Sequence, residues 1–471
     1  MASATGRPAG NKVLLLTNNL PPVRGGSAIV YDNLARHAAE RIIVVAPRRN
    51  YQDGLPFIAW REHDRGAPYR VIRRDLLRTV MREDGASGVA RLFFLTADIA
   101  IRARLLATII RCILRREIAA VCVGELMASA WVLTAMRLFP HIARAVYVHG
   151  EEITTQDAYD PGLVRRRNAL LQAHHIVVVS RFTAAAVEDL LGESGRGRIR
   201  LIENGVDTTR FRPIPRQAGL AALYGLQDCF VFLSVCRLLE KKGVDNAIRA
   251  FAQVVAEYPD SRFLVVGDGP FRADLERIAE GCFVADKVVF CGAVADDELI
   301  DHYALGDAFV MPNRRLPNGD TEGFGLVFLE ANACGLPVIA GTDGGSTDAV
   351  QDGANGLVVD GHSVPSIAEA MLALRGDAAL RERLRAGGFR AAAASDWQHK
   401  AQAFLDMFDV TARDEPFLKR PFPRWLAPKG PFPSGRVPEG QVPGGPVPGG
   451  PVPKGPVNSR EPAPADEVNI V

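Results

Sequence analysis

The fold is decided by residues 13–46, which read VLLLTNNLPPVRGGSAIVYDNLARHAAERIIVVA. Two short apolar runs, 13–17 and 42–46, enclose a segment with helical periodicity at 29–39. Each run is apolar at consecutive positions, whereas a strand with one solvated face would alternate apolar with polar side chains. The stretch therefore predicts a strand, a helix and a second, parallel strand, in a sheet that is covered on both faces.

The same alternation continues along the chain and restarts after a link at 204–215 that carries proline and arginine. Further strands are predicted at 145–148, 176–179 and 199–202 before the link, and at 230–235, 263–266, 288–290, 308–311, 338–340 and 356–359 after it. After the link, helices are predicted to begin at Val244, Phe271, Asp296 and Leu326. This pattern is typical of an α/β fold with two Rossmann-like, doubly wound domains in tandem, facing a cleft.

Three polar segments follow predicted strands directly: His149-Gly150, Asp268-Gly269 and residues 313–325. Parallel sheets of this kind bind ligands at the carboxyl ends of their strands. We therefore expect the three segments to converge on the cleft between the domains.

At 471 residues the chain is too long for one hydrophobic core. We expect one Rossmann-like domain at 1–205, a second at 206–393, and a helix at 394–410 that packs back on the first domain. Residues 411–471 are rich in proline and glycine and include the repeat RVPEG-QVPGG-PVPGG-PVPKG from Arg436. Such a composition cannot build a packed core, and we interpret this tail as a disordered, flexible tether, with a proline-rich docking segment as the alternative.

The seven cysteines are scattered, without a CxxC pair, which favours small buried side chains in a reducing compartment over a disulfide framework or a zinc site. The apolar run at 13–16 is too short for a signal peptide, and the apolar region 92–123 is interrupted by five arginines. We expect a cytoplasmic protein.

The net charge of +2 is divided unevenly along the chain. Residues 1–205 carry 29 lysines and arginines against 19 aspartates and glutamates, and the remainder carries 27 against 35. A basic N-terminal half can hold a protein peripherally at the anionic inner face of a membrane, or attract an anionic acceptor. The alternative is a solvated, arginine-rich surface. We expect no nucleic-acid partner.

The run EGFGLVFLE at 322–330 places Glu322 and Glu330 on either side of a glycine-hinged helix entrance. Gly323 and Gly325 let the backbone approach a ligand closely, and the amides of a helix beginning at Leu326 suit a phosphate group. Carboxylates on either side would suit sugar and ribose hydroxyls. The alternative is that Glu322 only complements the helix dipole while Glu330 is a solvated helical residue.

A second pair of candidates, Arg237 and Lys242, follows the predicted strand 230–235. Arginine offers a planar fork for phosphate oxygens and lysine a mobile point charge, which together suit a diphosphate leaving group. In isolation, two such residues in a loop are more often simply solvated.

Taken in order, these segments resemble glycosyltransferase family 4, the retaining enzymes with the two-Rossmann GT-B architecture, over residues 13–408. The resemblance rests on PPVRGG (21–26), YVHG (147–150), NGVD (204–207), the basic pair Arg237 and Lys242, GDGP (267–270), the glutamates Glu322 and Glu330, and GLPVIA (335–340). It implies that residues 1–205 form the acceptor side and residues 206–393 the nucleotide-sugar side.

By this resemblance, the chain transfers a sugar from a nucleotide-sugar donor, GDP-mannose or a UDP-sugar, to a lipid-linked, glycan or small-molecule acceptor. Arg237 and Lys242 would hold the diphosphate, Glu322 and His149 would contact the donor sugar, and Glu330 would bind the ribose. Backbone groups would complete the donor site at Gly25, Gly26, Gly267, Gly323, Phe324, Gly325 and Leu326.

Retaining enzymes of this family are thought to use front-face substitution, in which the leaving phosphate accepts the acceptor's proton. The cleft loops contain no Asp-x-Asp motif, and we expect a transferase that needs neither cofactor nor metal. The loop 314–320 resembles that of lipid-directed mannosyltransferases of actinobacteria, whereas residues 48–88 match no family motif and have the character of an insertion.

Two other classes of protein are the alternatives. A GT-B-shaped protein that binds a nucleotide sugar without transferring it, as a partner or regulatory subunit, would keep the same donor residues. A dinucleotide dehydrogenase would need a GxGxxG turn after the first strand, and residues 17–26 supply none.

Overall fold

The computed structural model of the chain describes residues 11–50, 54–77, 88–156 and 160–411. Two parallel sheets form its framework, one of seven strands and one of six. This confirms the predicted α/β architecture with two Rossmann-like sheets. The prediction for the proline- and glycine-rich tail lies outside the described residues.

The N-terminal sheet has the strand order β3-β2-β1-β4-β5-β6-β7. Its strands are β1 (Lys12–Leu16), β2 (Ile42–Ala46), β3 (Arg70–Arg73), β4 (Ile118–Val123), β5 (Ala143–Val148), β6 (His175–Val178) and β7 (Ile199–Leu201). The helices of this half are α1 (Gly26–Arg36), α2 (Trp60–Gly66), α3 (Gly88–Leu114), α4 (Leu126–Ala135), α5 (Glu151–Thr154), α6 (Val164–Leu170) and α7 (Arg181–Leu191).

The C-terminal sheet has the order β10-β9-β8-β11-β12-β13. Its strands are β8 (Phe230–Val235), β9 (Ser261–Val266), β10 (Val288–Gly292), β11 (Ala308–Met311), β12 (Val338–Gly341) and β13 (Gly356–Val359). The helices are α8 (Ala218–Leu223), α9 (Val244–Glu257), α10 (Arg272–Gly281), α11 (Leu299–Tyr303), α12 (Leu326–Ala333), α13 (Ser346–Ala349), α14 (Val364–Gly376), α15 (Ala378–Ala394) and α16 (Trp397–Thr411).

Strand β1 shows why these sheets need helices on both faces. Val13 and Leu15 belong to one buried apolar cluster, and Leu14 and Leu16 belong to another. Successive side chains of a strand point to opposite faces, so consecutive apolar residues require an apolar cover on each face. The continuous apolar runs read from the sequence correspond to this packing.

Two strands were missed by the sequence analysis, β3 and β4. Strand β4 lies in the apolar region 92–123, where α3 ends at Leu114 and Arg116 adopts a left-handed φ of 54° before the strand begins. The periodicity does not change visibly there, so the strand was hidden in the helical pattern. Strand β3 pairs in parallel with β2, so part of the supposed insertion 48–88 is the edge of the sheet.

Helix starts were predicted to within three residues. The helices expected from Phe271 and Asp296 begin at Arg272 and Leu299, and those expected from Val244 and Leu326 begin there. Among the described residues, no helix is both long and apolar enough to cross a bilayer.

The terminal helix α16 contacts the N-terminal sheet although it follows the C-terminal one. The Phe404 ring lies 6.3 Å from that of Tyr147, and the Arg41 guanidinium pairs with Asp409 at 2.8 Å. Helix α16 therefore has contacts with the first half, and the domain organisation with boundaries at 205, 393 and 410 stays a prediction.

Candidate active site

The carboxyl ends of the two sheets approach each other where α1 meets α12. A Cβ atom placed on Gly26, the first residue of α1, would lie 3.8 Å from the Leu326 side chain at the start of α12. Gly150, after β5, comes still closer to Gly323, with 3.2 Å from its Cβ position to the Gly323 Cα. Three segments predicted for the site, 21–26, 147–150 and 322–330, therefore meet across one interface.

The backbone at Glu322 and Gly323 has close contacts on two sides, one of them with the N-terminal half of the molecule. A Cβ atom on Gly323 would lie 1.9 Å from the carbonyl oxygen of His149. On the other side, Gly345 donates its N–H to the Glu322 carbonyl at 2.8 Å, and a Cβ on Gly345 would lie 2.0 Å from the Gly323 carbonyl. Glycine is therefore required at 323 and 345, and the sequence analysis missed the second position.

Helix α12 begins at the glycine hinge, as predicted. Gly325 has a φ of 87°, a left-handed conformation that is readily available to glycine, and it precedes Leu326, the first helical residue. Phe324 is buried, and its backbone N–H points to the Glu322 carboxylate. The first amides of an α-helix lack partners within the helix, so those that begin α12 are suited to an anion.

Lys242 and Glu322 form an ion pair at the centre of the interface. The Lys242 ammonium donates a hydrogen bond to the Glu322 carboxylate, and the two side chains are only 16 % and 13 % exposed. Burial opposes both charges, but the pair overcomes it: the Glu322 charge raises the pKa of Lys242, and the Lys242 charge lowers the pKa of Glu322. Both groups are therefore charged at neutral pH.

Arg237 lies in the loop after β8, with its side chain exposed. Within the described residues its guanidinium has no hydrogen-bond or ion-pair partner, which leaves all of its donors available. Gly267, after the neighbouring β9, packs against this loop, since a Cβ there would lie 1.9 Å from the Cys236 carbonyl. The close approach of the two loops explains the glycine at 267 without a ligand, and its role as a donor contact stays a prediction.

Glu330 is buried inside α12 and is not the solvated residue of the alternative interpretation. Its carboxylate accepts a hydrogen bond of 2.8 Å from the Tyr303 hydroxyl. Burial raises the pKa of Glu330, although the Tyr303 bond acts in the opposite direction. Nothing in its sequence neighbourhood indicated the tyrosine.

His149 is held by a tyrosine from helix α1. Its Nε2 lies 2.7 Å from the Tyr31 hydroxyl, which donates its own proton to the Gly124 carbonyl at 2.5 Å. Since Tyr31 has one proton and gives it to Gly124, His149 must donate from Nε2, which leaves Nδ1 as an acceptor. Burial lowers the pKa of His149 to about 4, so the ring is neutral.

A carboxylate that the sequence analysis missed, Glu125, lies at the same edge. It follows β4 and accepts hydrogen bonds from the Thr17 hydroxyl at 2.6 Å and the Asn18 N–H at 2.9 Å. Burial raises the pKa of Glu125 to about 7 despite these bonds, and the charge of Glu152 adds to the effect. Because Glu125 follows β4 directly, recognising that strand in the sequence would have placed this residue at the carboxyl edge of the sheet.

Further polar contacts tie the two halves together around the site. The Lys241 ammonium bonds to Asp320 at 2.7 Å and reaches Glu151 of the N-terminal half at 3.4 Å. Arg181 donates its backbone N–H to the Asp348 carboxylate at 2.7 Å. Lys241, adjacent to the predicted Lys242, therefore has a bridging position.

Gly25, which precedes α1, has open space around it, since a Cβ there would meet no atom within 4 Å. This leaves room for a ligand beside the N-terminus of α1. Within the described residues there is no group of three or more His, Cys, Asp or Glu side chains that could hold a metal ion.

Two parallel sheets that face each other through their carboxyl edges, with a buried Lys-Glu pair and a glycine-hinged helix at the interface, define a GT-B glycosyltransferase. The fold is similar to that of HepE from Anabaena, solved with UDP and glucose, with a TM-score of 0.66, 19 % identity, and coverage of 84 % of this chain and 99 % of that one.

Family profiles match both halves: Glycosyltransferase Family 4 at 24–210 and Glycosyl transferases group 1 at 225–390. The GDP-mannose-dependent alpha-(1-6)-phosphatidylinositol monomannoside mannosyltransferase of Mycobacterium tuberculosis is 34 % identical over 82 % of this chain and 93 % of its own length. The D-inositol 3-phosphate glycosyltransferase of Acidothermus cellulolyticus is 31 % identical over 61 % and 64 %. The chain belongs to glycosyltransferase family 4, and it is a retaining, nucleotide-sugar-dependent hexosyltransferase.

Proposed function

We propose that the chain transfers mannose from GDP-mannose to a lipid-linked acceptor of the phosphatidylinositol type. The observation that carries this proposal is the similarity to the mycobacterial mannosyltransferase, which extends through the acceptor-side half as well as the donor-side half. The choice of GDP-mannose over a UDP-sugar and the choice of acceptor both rest on it.

At the donor end, Arg237 and Lys242 bind the diphosphate of the donor. Arg237 is free to form a forked contact, while Lys242 exchanges its partner Glu322 for a phosphate oxygen. Glu322, released from the lysine, then accepts hydrogen bonds from hydroxyls of the donor sugar. With two cations at the leaving group, the transfer proceeds without a metal ion.

The remaining donor contacts follow from the position of each group. The amides that begin α12, at Gly325 and Leu326, bind a phosphate oxygen, and Gly25 lets the diphosphate approach α1 closely. Glu330 accepts a ribose hydroxyl beside its bond to Tyr303. His149, with a neutral ring, contacts the donor sugar.

The transfer itself is a front-face substitution. The bond between the anomeric carbon and the leaving phosphate oxygen breaks, and a bond from the acceptor oxygen forms on the same face. The acceptor's hydroxyl proton passes to the leaving phosphate oxygen, so no protein nucleophile takes part. Lys242 and Arg237 lower the barrier because they stabilise the charge that develops on the diphosphate.

The N-terminal half is the side that meets the membrane. Its β2–α2 connection carries two exposed aliphatic side chains, Leu55 at 57 % and Ile58 at 79 % exposure, close in sequence to the arginines Arg48 and Arg61. Exposed apolar side chains with adjacent cations suit the interface of an anionic bilayer, where the apolar part is buried and the cations bind headgroups.

The donor is tested by thermal denaturation with a panel of GDP-, UDP- and ADP-sugars. We expect GDP-mannose to raise the Tm most, because a ligand that binds only the folded state stabilises it. Transfer is then measured as release of GDP and formation of a mannosylated lipid with membranes that contain phosphatidylinositol. A protein that no nucleotide sugar stabilises would contradict the proposal.

The alternative is a non-catalytic protein that binds nucleotide sugars. It would show the same thermal shift without GDP release or labelled lipid. The intact set of Arg237, Lys242, Glu322 and His149, assembled at one interface, favours the enzyme.

A further inference from the structure

A separate cavity of about 480 Å³ lies at the outer edge of the N-terminal sheet. It is bordered by the ends of β2 and β3 on one side and by one face of α3 on the other. Six charged residues line it. One is an acid, Asp75, and five are arginines: Arg48, Arg73, Arg74, Arg104 and Arg111. The donor-site residues are not part of this cavity.

The arginines of the cavity differ in how many of their N–H donors are already bound to other groups. Arg73 is buried and paired with Asp64 at 2.7 Å, and its remaining donors bind the carbonyls of Pro47 and Pro21. In the described part of the chain, Arg104 and Arg111 have no hydrogen-bond or ion-pair partner for their guanidinium groups. The cavity therefore has a rigid wall at Arg73 and a net positive charge with unoccupied donors at α3.

Helix α3 builds its side of the cavity through its periodicity. Ile101, Arg104, Thr108 and Arg111 recur at intervals of three or four residues, so they share one face, and all four line the cavity. Leu105, Ile109 and Cys112 lie on another face of α3 and are buried against the sheet. The orientation of the two arginines is therefore set by the packing of the helix.

We propose that this cavity is a binding site for a phosphate ester, separate from the site of sugar transfer. Arginine is suited to this ligand because its planar fork donates two parallel hydrogen bonds to phosphate oxygens. The free guanidinium groups of Arg104 and Arg111 lie about two turns apart on the same helix face, and their long side chains can bind one phosphate together.

The position of the cavity separates this phosphate from the reacting acceptor. Strands β2 and β3 are three and four places from β5, which ends just before His149, and this corresponds to about 14–19 Å at the usual spacing of strands. The phosphate and the hydroxyls of one inositol ring are much closer together than that. If the proposed acceptor is correct, the phosphate in the cavity belongs to a second molecule, either a neighbouring anionic lipid or a soluble phosphate ester.

The test uses the full chain with saturating GDP, so that the donor site is already filled. Inorganic phosphate is titrated by calorimetry, and vesicles of phosphatidylcholine, with or without phosphatidylinositol, are tested by co-sedimentation. The variant is Arg104→Ala with Arg111→Ala. The control, Arg102→Ala with Arg196→Ala, removes the same charge from exposed positions outside the cavity.

We expect the cavity variant to lose about tenfold or more in affinity, as for lost hydrogen bonds to a charged group, while the control retains its affinity. Binding of phosphatidylinositol vesicles alone supports the site with a lipid as its ligand, and binding of inorganic phosphate supports it with a soluble one. Equal losses in both variants, or no saturable binding of either probe, would overturn the proposal. Mannose transfer is measured in a separate assay. If no transfer is found, the binding results still decide whether the cavity binds a phosphate ester.

Discussion

At the scale of single residues, the opposite charges of Lys242 and Glu322 compensate each other while the donor is absent. Lys242 and Glu322 are each other's main electrostatic partner, and each would be costly to bury alone. A diphosphate must therefore compete with Glu322 for the lysine. In the proposed mechanism the ammonium then acts on the leaving diphosphate.

Replacing Lys242 by Ala should lower kcat by about a hundredfold or more, because a charge that stabilises the transition state is lost. Steady-state kinetics of GDP release check this, with Lys287→Ala, at a partly exposed position outside the site, as the control for the loss of a lysine. An unchanged kcat in the Lys242 variant would exclude the role at the leaving group.

Tyr31→Phe should alter His149 without touching the donor. The change removes the oxygen that accepts the Nε2 proton, so the ring is no longer confined to one tautomer. We expect about a tenfold fall in kcat with a smaller change in KM, and ¹⁵N chemical shifts of His149 that indicate mixed tautomers. Unaltered nitrogen shifts would show that Tyr31 does not select the tautomer.

The low pKa of His149 predicts a pH dependence of stability. The unfolded ring binds a proton near pH 6.5, whereas the folded ring does so only near pH 4, so the free energy of unfolding should fall as the pH drops through this window. The share due to His149 is at most about 3 kcal/mol. Denaturant unfolding of His149→Gln should show a flatter pH profile than the wild type, and exposed His399→Gln should not.

At the scale of elements, the loop before α12 is a point of close contact between the two halves of the molecule. Gly323→Ala would put a methyl group against the carbonyl of His149, which belongs to the other half of the molecule. We expect activity to fall by about a hundredfold, because a displacement of about 1 Å misaligns the reacting groups. Gly281→Ala, at a position with open space, is the control. Full activity in the Gly323 variant would show that the close contact is not needed in the working enzyme.

The elements also show where sequence patterns are informative. The continuous apolar runs of β1, β2 and β8 predicted buried parallel strands, because only such strands need apolar residues on both faces. Strand β3 was missed because it is a short edge strand that contains two arginines, and β4 because it follows an apolar helix without a change of composition. As a consequence Glu125, which depends on β4, was missed as well.

At the scale of the whole molecule, the terminal helix α16 connects the second half back to the first. Trp397 and Phe404 are fully buried, and Phe404 lies against Tyr147 of β5. Deleting residues 397–471 should lower the free energy of unfolding by about 5 kcal/mol or more, since each large aromatic residue contributes several kcal/mol. Deleting only 412–471 should leave the Tm and donor binding unchanged, because all described site residues precede this point. Thermal denaturation of both deletions checks this, and equal stability would contradict the role of α16.

The sequence by itself determined the class of fold and the family, because both depend on local order: apolar runs, helical periodicity and motifs in a set sequence. It also identified Lys242, Glu322, Glu330, His149 and the glycine hinge before α12 as candidates. It could not give the partners of these residues, since Tyr31, Tyr303 and Gly345 lie far from them in the chain. Only the tertiary structure decided that Lys242 pairs with Glu322, that His149 carries its proton on Nε2, and that α3 turns its arginines into a cavity, because these depend on which strands become neighbours.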